Sequence, residues 1–540
     1  MPYLDTFSGN WTAKEARHLL NRTSFGVTKT MVSEAMNLGL EATINQLFEF
    51  KNLPEPPLKY QLDGTGRNEI NDPEANYGET WVHAAPLPEA LTNQNRNKII
   101  NARKRSLYAW SYLQMQNTGI SIREKLTLFW HNHFVAENNN PHREFIYINI
   151  LRSNALGNFK ELVKLITVDS NMLLYLSGSE NTDKAPNENY SRELLELFTI
   201  GKGNAVGNGD YTNFTEDDVV QMAKILTGWR VRGLAHQDAL APFFSNLNHT
   251  KGSKTLSHRF NNAIISENGE NEYKDLIDRI FQEDECSRFI IRQLYSWFVN
   301  SEITSEIEAN IIEPLAQITR EHNYDISPAL QKLFLSEHFF ESVFCVIKSP
   351  LDLMLSATKS LMLSAPNTSI KEEYEFGYIM YLACTDLGQS IFHHPDVAGW
   401  KAYYQQPLFD KTWVNNFFLP KRLEYCKVLV SGGDLVIDDK KYTVPPLVPV
   451  LEIAASIENS KDPNLLINGL VNRLFNYEIT QEQKDSLKAV LIDGLPDFEW
   501  TIEYSEYLGD KTNISLAISV DKKLRNLIAV MVQMSEFQIM

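Results

Sequence analysis

Two imidazoles stand two residues apart in FWHNHF (129–134), His131 and His133, set among aromatics. Neutral imidazole ligates metals and serves as a general base near neutral pH. Within a regular helix, residues two apart differ by about 200° and cannot share one ion. A common ion therefore requires an extended segment or a helix end, and Asn138-Asn139-Asn140-Pro141 supplies such an end. The competing reading is a histidine packed in the core with its ring N–H on a backbone carbonyl.

A second dense block follows, PNENYSRELLELFTIG (186–201), then YTNFTEDDV (211–219) and LTGW (226–229). Arg192 and Glu196 share a helix face and make a surface pair on one reading. Glu193 lies on a neighbouring face, with Leu194, Leu195, Leu197 and Phe198 as the apolar stripe. Polar residues crowded on an apolar helix need partners, and those partners are a ligand or one another. In HTKGSKT (249–255), His249, Lys254 and the intervening glycine form a turn whose N–H groups and ammonium suit an anion, or a plain surface turn. HHPDVAGW (393–400) adds His393, His394, Asp396 and Trp400 as the border of a pocket. GxSxG, HExxH, GxGxxG after a strand, GxxxxGK[ST] and the kinase signatures are missing.

These residues need a scaffold, and helical periodicity dominates. Thr12 caps a helix over 12–25, Gly39 breaks a pair over 28–50, and helices follow at 96–117, 121–134, 144–165 (interrupted at Gly157) and 189–200. Thr215 with Glu216, Asp217 and Asp218 opens another. Residues 51–95 read as a long ordered loop, and 231–265 as irregular with short strands near HTKGSKT. Helices resume at 272–281, 286–299, 304–320, 327–337 and 349–364. A loop-rich aromatic block spans 384–420, LVIDDKKYTV (435–444) reads as a hairpin, and the tail is helical. The fold class is mostly α: a multi-helix globular protein with long loops and a small β-hairpin. Three regions, 1–265, 266–430 and 431–540, are expected to pack as one unit.

The 540 residues carry 51 Lys plus Arg against 68 Asp plus Glu, a net charge of −17. That balance argues against nucleic acid or an anionic membrane as partner. Four scattered cysteines, Cys286, Cys345, Cys384 and Cys426, read as buried free thiols. The first residues lack the basic start and apolar core of a signal peptide, and no run approaches the roughly 18–20 apolar residues of a membrane span. A cytoplasmic protein is the expectation.

In order, the blocks resemble a large bacterial family, domain of unknown function 1800. The resemblance rests on RHLLNRTSFGVT (17–28), REKLTLFWHNHFV (123–135), LRSNALGNFKELVKLITVDSNMLLYLSG (151–178), PNENYSRELLELFTIG, YTNFTEDDVVQMAKILTGW, NHTKGSKT, IKSP (347–350), HPDVAGW and MVQMSEFQIM (531–540). It implies a predominantly helical fold and no reaction. Thr250 stands where the family commonly has Asp after the histidine. Members often accompany a sulfatase-like family with twin-arginine export signals, so such a partner, and a periplasmic or envelope location by co-export, is an expectation from the resemblance.

Two functions are carried forward. One is a metal-assisted hydrolase in which His131, His133 and Glu193 hold a divalent metal, Glu196 or Glu188 acts as base, and Arg192, His249 and Lys254 hold an anionic substrate group. The other is a non-catalytic binding or assembly protein in which the same residues form a buried polar network, while the acidic surface and the aromatic loop 390–418 engage a partner such as the sulfatase-like protein.

Overall fold

Helix caps set the frame as the local sequence dictates. Thr12 and Glu15 form a reciprocal capping box for Ala13–Thr23, and Thr215 with Asp218 forms another for Glu216–Ile225. Gly39, at φ +84°, separates Lys29–Leu38 from Leu40–Phe48, because a left-handed φ ends a helix at little cost only for glycine. The computed structural model describes residues 3–540 except 51, 65, 67, 68, 89, 233–239, 344, 345, 446 and 447. The fold is mostly α, and each sheet among the described residues has two antiparallel strands.

The expected hairpin pairs Gly433–Ile437 with Lys440–Val444 through Asp438 and Asp439, both at positive φ (48° and 60°), the geometry of the tight turn that matches strand twist. Three smaller pairs flank the site: Ala205–Gly207 with Asp210–Tyr211, Trp229–Val231 with Pro242–Phe244, and Lys254–Thr255 with Ile264–Ile265. The 51–95 segment is held by a buried two-pronged pair, Arg103 Nε and Nη2 on Asp72 at 2.7 and 2.8 Å, and by Trp81 donating to Ser106 at 3.0 Å.

One long helix, Ile370–Asp386, was absent from the sequence reading. It packs along Asn93–Asn117. Gly377, which reads as a helix breaker, sits at the crossing: a Cβ there would fall 2.9 Å from the Ala109 carbonyl oxygen. The close approach of two backbones offsets the roughly 1 kcal/mol a mid-helix glycine costs.

Buried apolar residues form a continuous cluster from Ala16 to Phe537, drawing on all three expected regions. Chain ends meet early helices through Arg17 Nη1 on the Arg473 carbonyl (2.9 Å) and Asn21 on Asn476 (2.6 Å). Cys286, Cys384 and Cys426 are buried and free, and Cys345 lies outside the described residues. Among the described residues no helix is long and apolar enough to cross a membrane.

Candidate functional site

The helix carrying FWHNHF, Arg123–His133, stops directly after His133, where Phe134 leaves helical geometry. Of its last three residues, two grip HHPDVAGW and one grips the second block. The ring of His131, fully buried, lies against that of His394, with Nδ1 and Nε2 3.3 Å apart. Asn132 Oδ1 accepts the N–H of Trp400 at 2.8 Å. Trp400 in turn packs on His394, with ring centres 4.2 Å apart. His133 Nε2 donates to the Phe198 carbonyl at 3.0 Å. Burial pushes the His131 imidazole down to about 3 and that of His133 to about 4, so both rings are neutral at pH 7. Gly399 is obligatory here: its φ is +87°, and a Cβ would meet Asn132 Oδ1 at 2.3 Å and the Asn132 carbonyl at 2.7 Å. HHPDVAGW is thereby clamped to FWHNHF across some 265 residues of chain.

His393 continues the seam outward, 2.9 Å from the Tyr108 hydroxyl and 3.6 Å from Glu137. Glu144 lies nearby, buried, and burial outweighs Lys104 and the Asn138 backbone N–H to push its carboxyl up to about 8.

The second block begins as Asn189–Glu193 and widens into a π-helical turn over Leu194–Thr199, a geometry frequent at functional sites. The widened turn offers the Phe198 carbonyl to His133 and is closed by Thr199 Oγ1 donating to Leu194 O at 2.5 Å. Glu193 is half-buried, and its carboxyl is raised by burial, by Glu196 and by Asp396. Glu196 faces Lys202 at 3.5 Å. Arg192 spans to Glu216 at 2.8 Å and Glu188 at 3.3 Å, bracing two helices.

HTKGSKT closes on itself. His249 Nε2 and Lys254 Nζ approach the two oxygens of a fully buried Glu272 at 2.8 and 2.6 Å. Nδ1 of His249 faces the Thr227 carbonyl at 2.9 Å, tying the turn to LTGW. Thr250 donates its N–H to Thr227 Oγ1 at 2.9 Å, a neutral contact with LTGW. The Gly252 N–H, the anion donor expected of this turn, is taken by the chain's own Glu267 at 2.7 Å.

A cleft opens beside these blocks. Its deep part, about 130 Å³, is lined by Asn132, His133, Glu196, Phe289, Gln293 and Trp297 among others. Gln293, Ser296, Tyr403 and Tyr404 are shared with a wider basin of about 900 Å³ that runs along Gln406–Lys411. One wall is the helix Asp284–Phe298, whose Phe289, Gln293 and Ser296, continued by Asn300 just past its end, recur at helical spacing. The other wall is the 396–413 loop that Asn132 and His131 anchor.

The site residues thus separate into groups. His133 and Glu196 line the cleft; Glu193 does not, though the charges of Glu196 and Asp396 are close enough to raise its carboxyl. His131 turns instead to His394, and His249 and Lys254 are committed to Glu272, so none of these three lines the cleft. His131, His133 and Glu193 do not present a shared set of ligands: among the described residues no three His, Cys, Asp or Glu side chains are grouped to hold a metal ion. Arg192, His249 and Lys254 do not form one anion pocket, because each already holds carboxylates of the chain. Trp297, Gln293, Ser296 and Asn132 escaped the sequence reading, which held Tyr403 and Tyr404 only within its aromatic 384–420 block; for the three helix residues the polar stripe of FIIRQLYSWFVN (289–300) was the signal available.

Residues 18–539 match the model of a family described as "Protein of unknown function (DUF1800)". No curated protein and no solved structure matches the chain.

Proposed function

The chain belongs to the DUF1800 family, whose description carries no reaction, and we propose one from its own cleft: acid–base hydrolysis of a ligand laid between the Asp284–Phe298 helix and the 396–413 loop. The observation that carries it is Glu196 at the deep end of the cleft, with Glu193 three residues before it in the same helical run. Glu193, its carboxyl raised by burial and by the neighbouring charge, is the proton donor to the leaving atom. Glu196, beside Lys202, accepts a proton from the attacking water. The new bond forms to the water oxygen as the bond to the protonated leaving atom breaks. His133 fixes the π turn that carries Glu196, with Glu193 directly ahead of that turn.

The test is hydrolysis of a chromogenic panel of glycosides, esters and amides by the wild type, Glu193→Gln and Glu196→Gln. Each variant should lose about a hundredfold or more, while melting as the wild type does. Retention of the full rate by both, or no turnover of any substrate, refutes the reading.

A second reading, a non-catalytic binding protein, is favoured by one observation: Arg192, His249 and Lys254 are saturated by Glu188, Glu216 and Glu272. It shares the cleft and differs in expecting ligand binding with no product.

A further inference from the structure

We propose that the cleft takes a neutral, chain-like polyhydroxylated ligand, an oligosaccharide segment, lying across Tyr404 with one end at Glu196. This names the substrate class of the hydrolytic site proposed above and rests on that reading for its location.

Shape comes first. The deep part and the wide basin join through Gln293, Ser296, Tyr403 and Tyr404, so the space is elongated, with a narrow end at Glu196 and an open end at Gln406–Lys411. A chain longer than one small molecule fills such a trough.

The lining then matches a sugar. Sugars present apolar C–H faces and hydroxyl edges, which call for aromatic surfaces interleaved with uncharged donors and acceptors. Phe289, Trp297, Tyr403 and Tyr404 supply the surfaces, with Trp297 and Tyr403 stacked at 4.2 Å and Tyr404 37% exposed. Gln293, Ser296, Ser301 and Gln406 line the trough, and their side chains make no hydrogen bond within the described residues. Trp297, only 5% exposed, backs Tyr403 by stacking on it.

Charge excludes the alternatives. Arg292 is spent on Glu308 and Glu285, both at 2.6 Å. Asp410 accepts the Ile347 N–H at 2.7 Å. Of the charged groups lining the trough, Glu302 and Lys411 alone have no ion pair or side-chain hydrogen bond among the described residues, and they are opposite in sign. No cationic cluster is left for phosphate, sulfate or uronate groups. No described strand lines the trough, so a peptide has no backbone edge to extend.

The experiment uses the full chain in native gels cast with dextran, xylan, soluble starch or hydroxyethylcellulose, with polygalacturonate and a casein hydrolysate as competitors. Tryptophan fluorescence titration and reducing-end release accompany it. At least one neutral polysaccharide should retard the protein, with Tyr404→Ala and Gln293→Ala each weakening binding tenfold or more. Those two side chains are not part of the buried core, so Trp297→Ala, which risks misfolding, is not needed. Retardation without reducing-end release upholds the ligand class and overturns hydrolysis. Capture by polygalacturonate or peptide alone, abolished by Tyr404→Ala, overturns the ligand class and keeps the cleft. No binding to any probe, or binding that both variants leave unchanged, overturns the proposal.

Discussion

Replacing Gly399 by Ala isolates the clamp between FWHNHF and HHPDVAGW. Three costs follow from the geometry. A Cβ at φ +87° carries left-handed strain of about 1–2 kcal/mol. At 2.3 Å from Asn132 Oδ1, it expels that side chain and with it the hydrogen bond from Trp400 N–H, about 1 kcal/mol. At 2.7 Å from the Asn132 carbonyl, it also forces backbone apart, and overpacking of this kind costs about 1–3 kcal/mol. Together these come to about 3–6 kcal/mol, borne by the 393–404 loop rather than by the whole chain. Gly252→Ala is the matched control, since its φ is +79° and nothing lies within 4 Å of its Cβ. It should show the strain alone. The difference, about 2–4 kcal/mol, is a change in the local opening constant from about thirtyfold to several hundredfold. Hydrogen exchange followed by mass spectrometry reads the two constants, on the 393–404 peptide for Gly399→Ala and on the 249–255 peptide for Gly252→Ala. Equal losses of protection at the two sites would sink the reasoning.

Glu272→Ala strands His249 and Lys254 in the interior and should cost about 3–5 kcal/mol; a urea midpoint equal to the wild type's would show that the triad is not what joins HTKGSKT to the core. The neutral, buried rings of His131 and His133 titrate in the unfolded chain near 6.5 but in the folded chain only near 3 and 4. Stability is therefore full above pH 6.5 and falls as pH drops below it, by about 2 kcal/mol per ring between pH 6.5 and 5; urea midpoints that do not fall between pH 7 and 5 contradict this. Glu144 has the opposite slope: its folded carboxyl, raised to about 8, holds a proton that the unfolded chain releases near 4.5, so stability falls as pH rises through that window. Glu144→Gln should gain on the wild type between pH 6 and 8 by about 1.4 kcal/mol per pH unit at most, and a difference independent of pH would refute the burial of an ionisable carboxyl.

Local rules were legible where one residue decides the outcome. Thr12, Thr215 and Gly39 end or begin helices through groups within four residues of themselves, and Asp438-Asp439 turns a hairpin for the same reason. Gly377 shows the limit. Nothing near it in sequence says that the Ala109 backbone lies against it, so a long helix went unread.

The site follows the same logic one level up. Density of polar residues marked FWHNHF, NENYSRELLELF and HTKGSKT, and density reports that such groups need partners. It does not report whether the partner is a ligand or the chain. Glu272, 18 residues beyond Lys254, completes one set, and the AGW turn completes Asn132. The groups left open are Gln293, Ser296, Tyr404 and Gln406, scattered over a helix and a loop with no motif to flag them. The marked blocks anchor the 396–413 wall and bring Glu196 to the cleft's end. The capacity to hold a ligand lies in the unmarked residues between them. The motifs and the binding surface are therefore separable by experiment: Tyr404→Ala or Gln293→Ala should abolish ligand retention in a protein that melts as the wild type does, whereas Gly399→Ala should loosen the loop and weaken retention together.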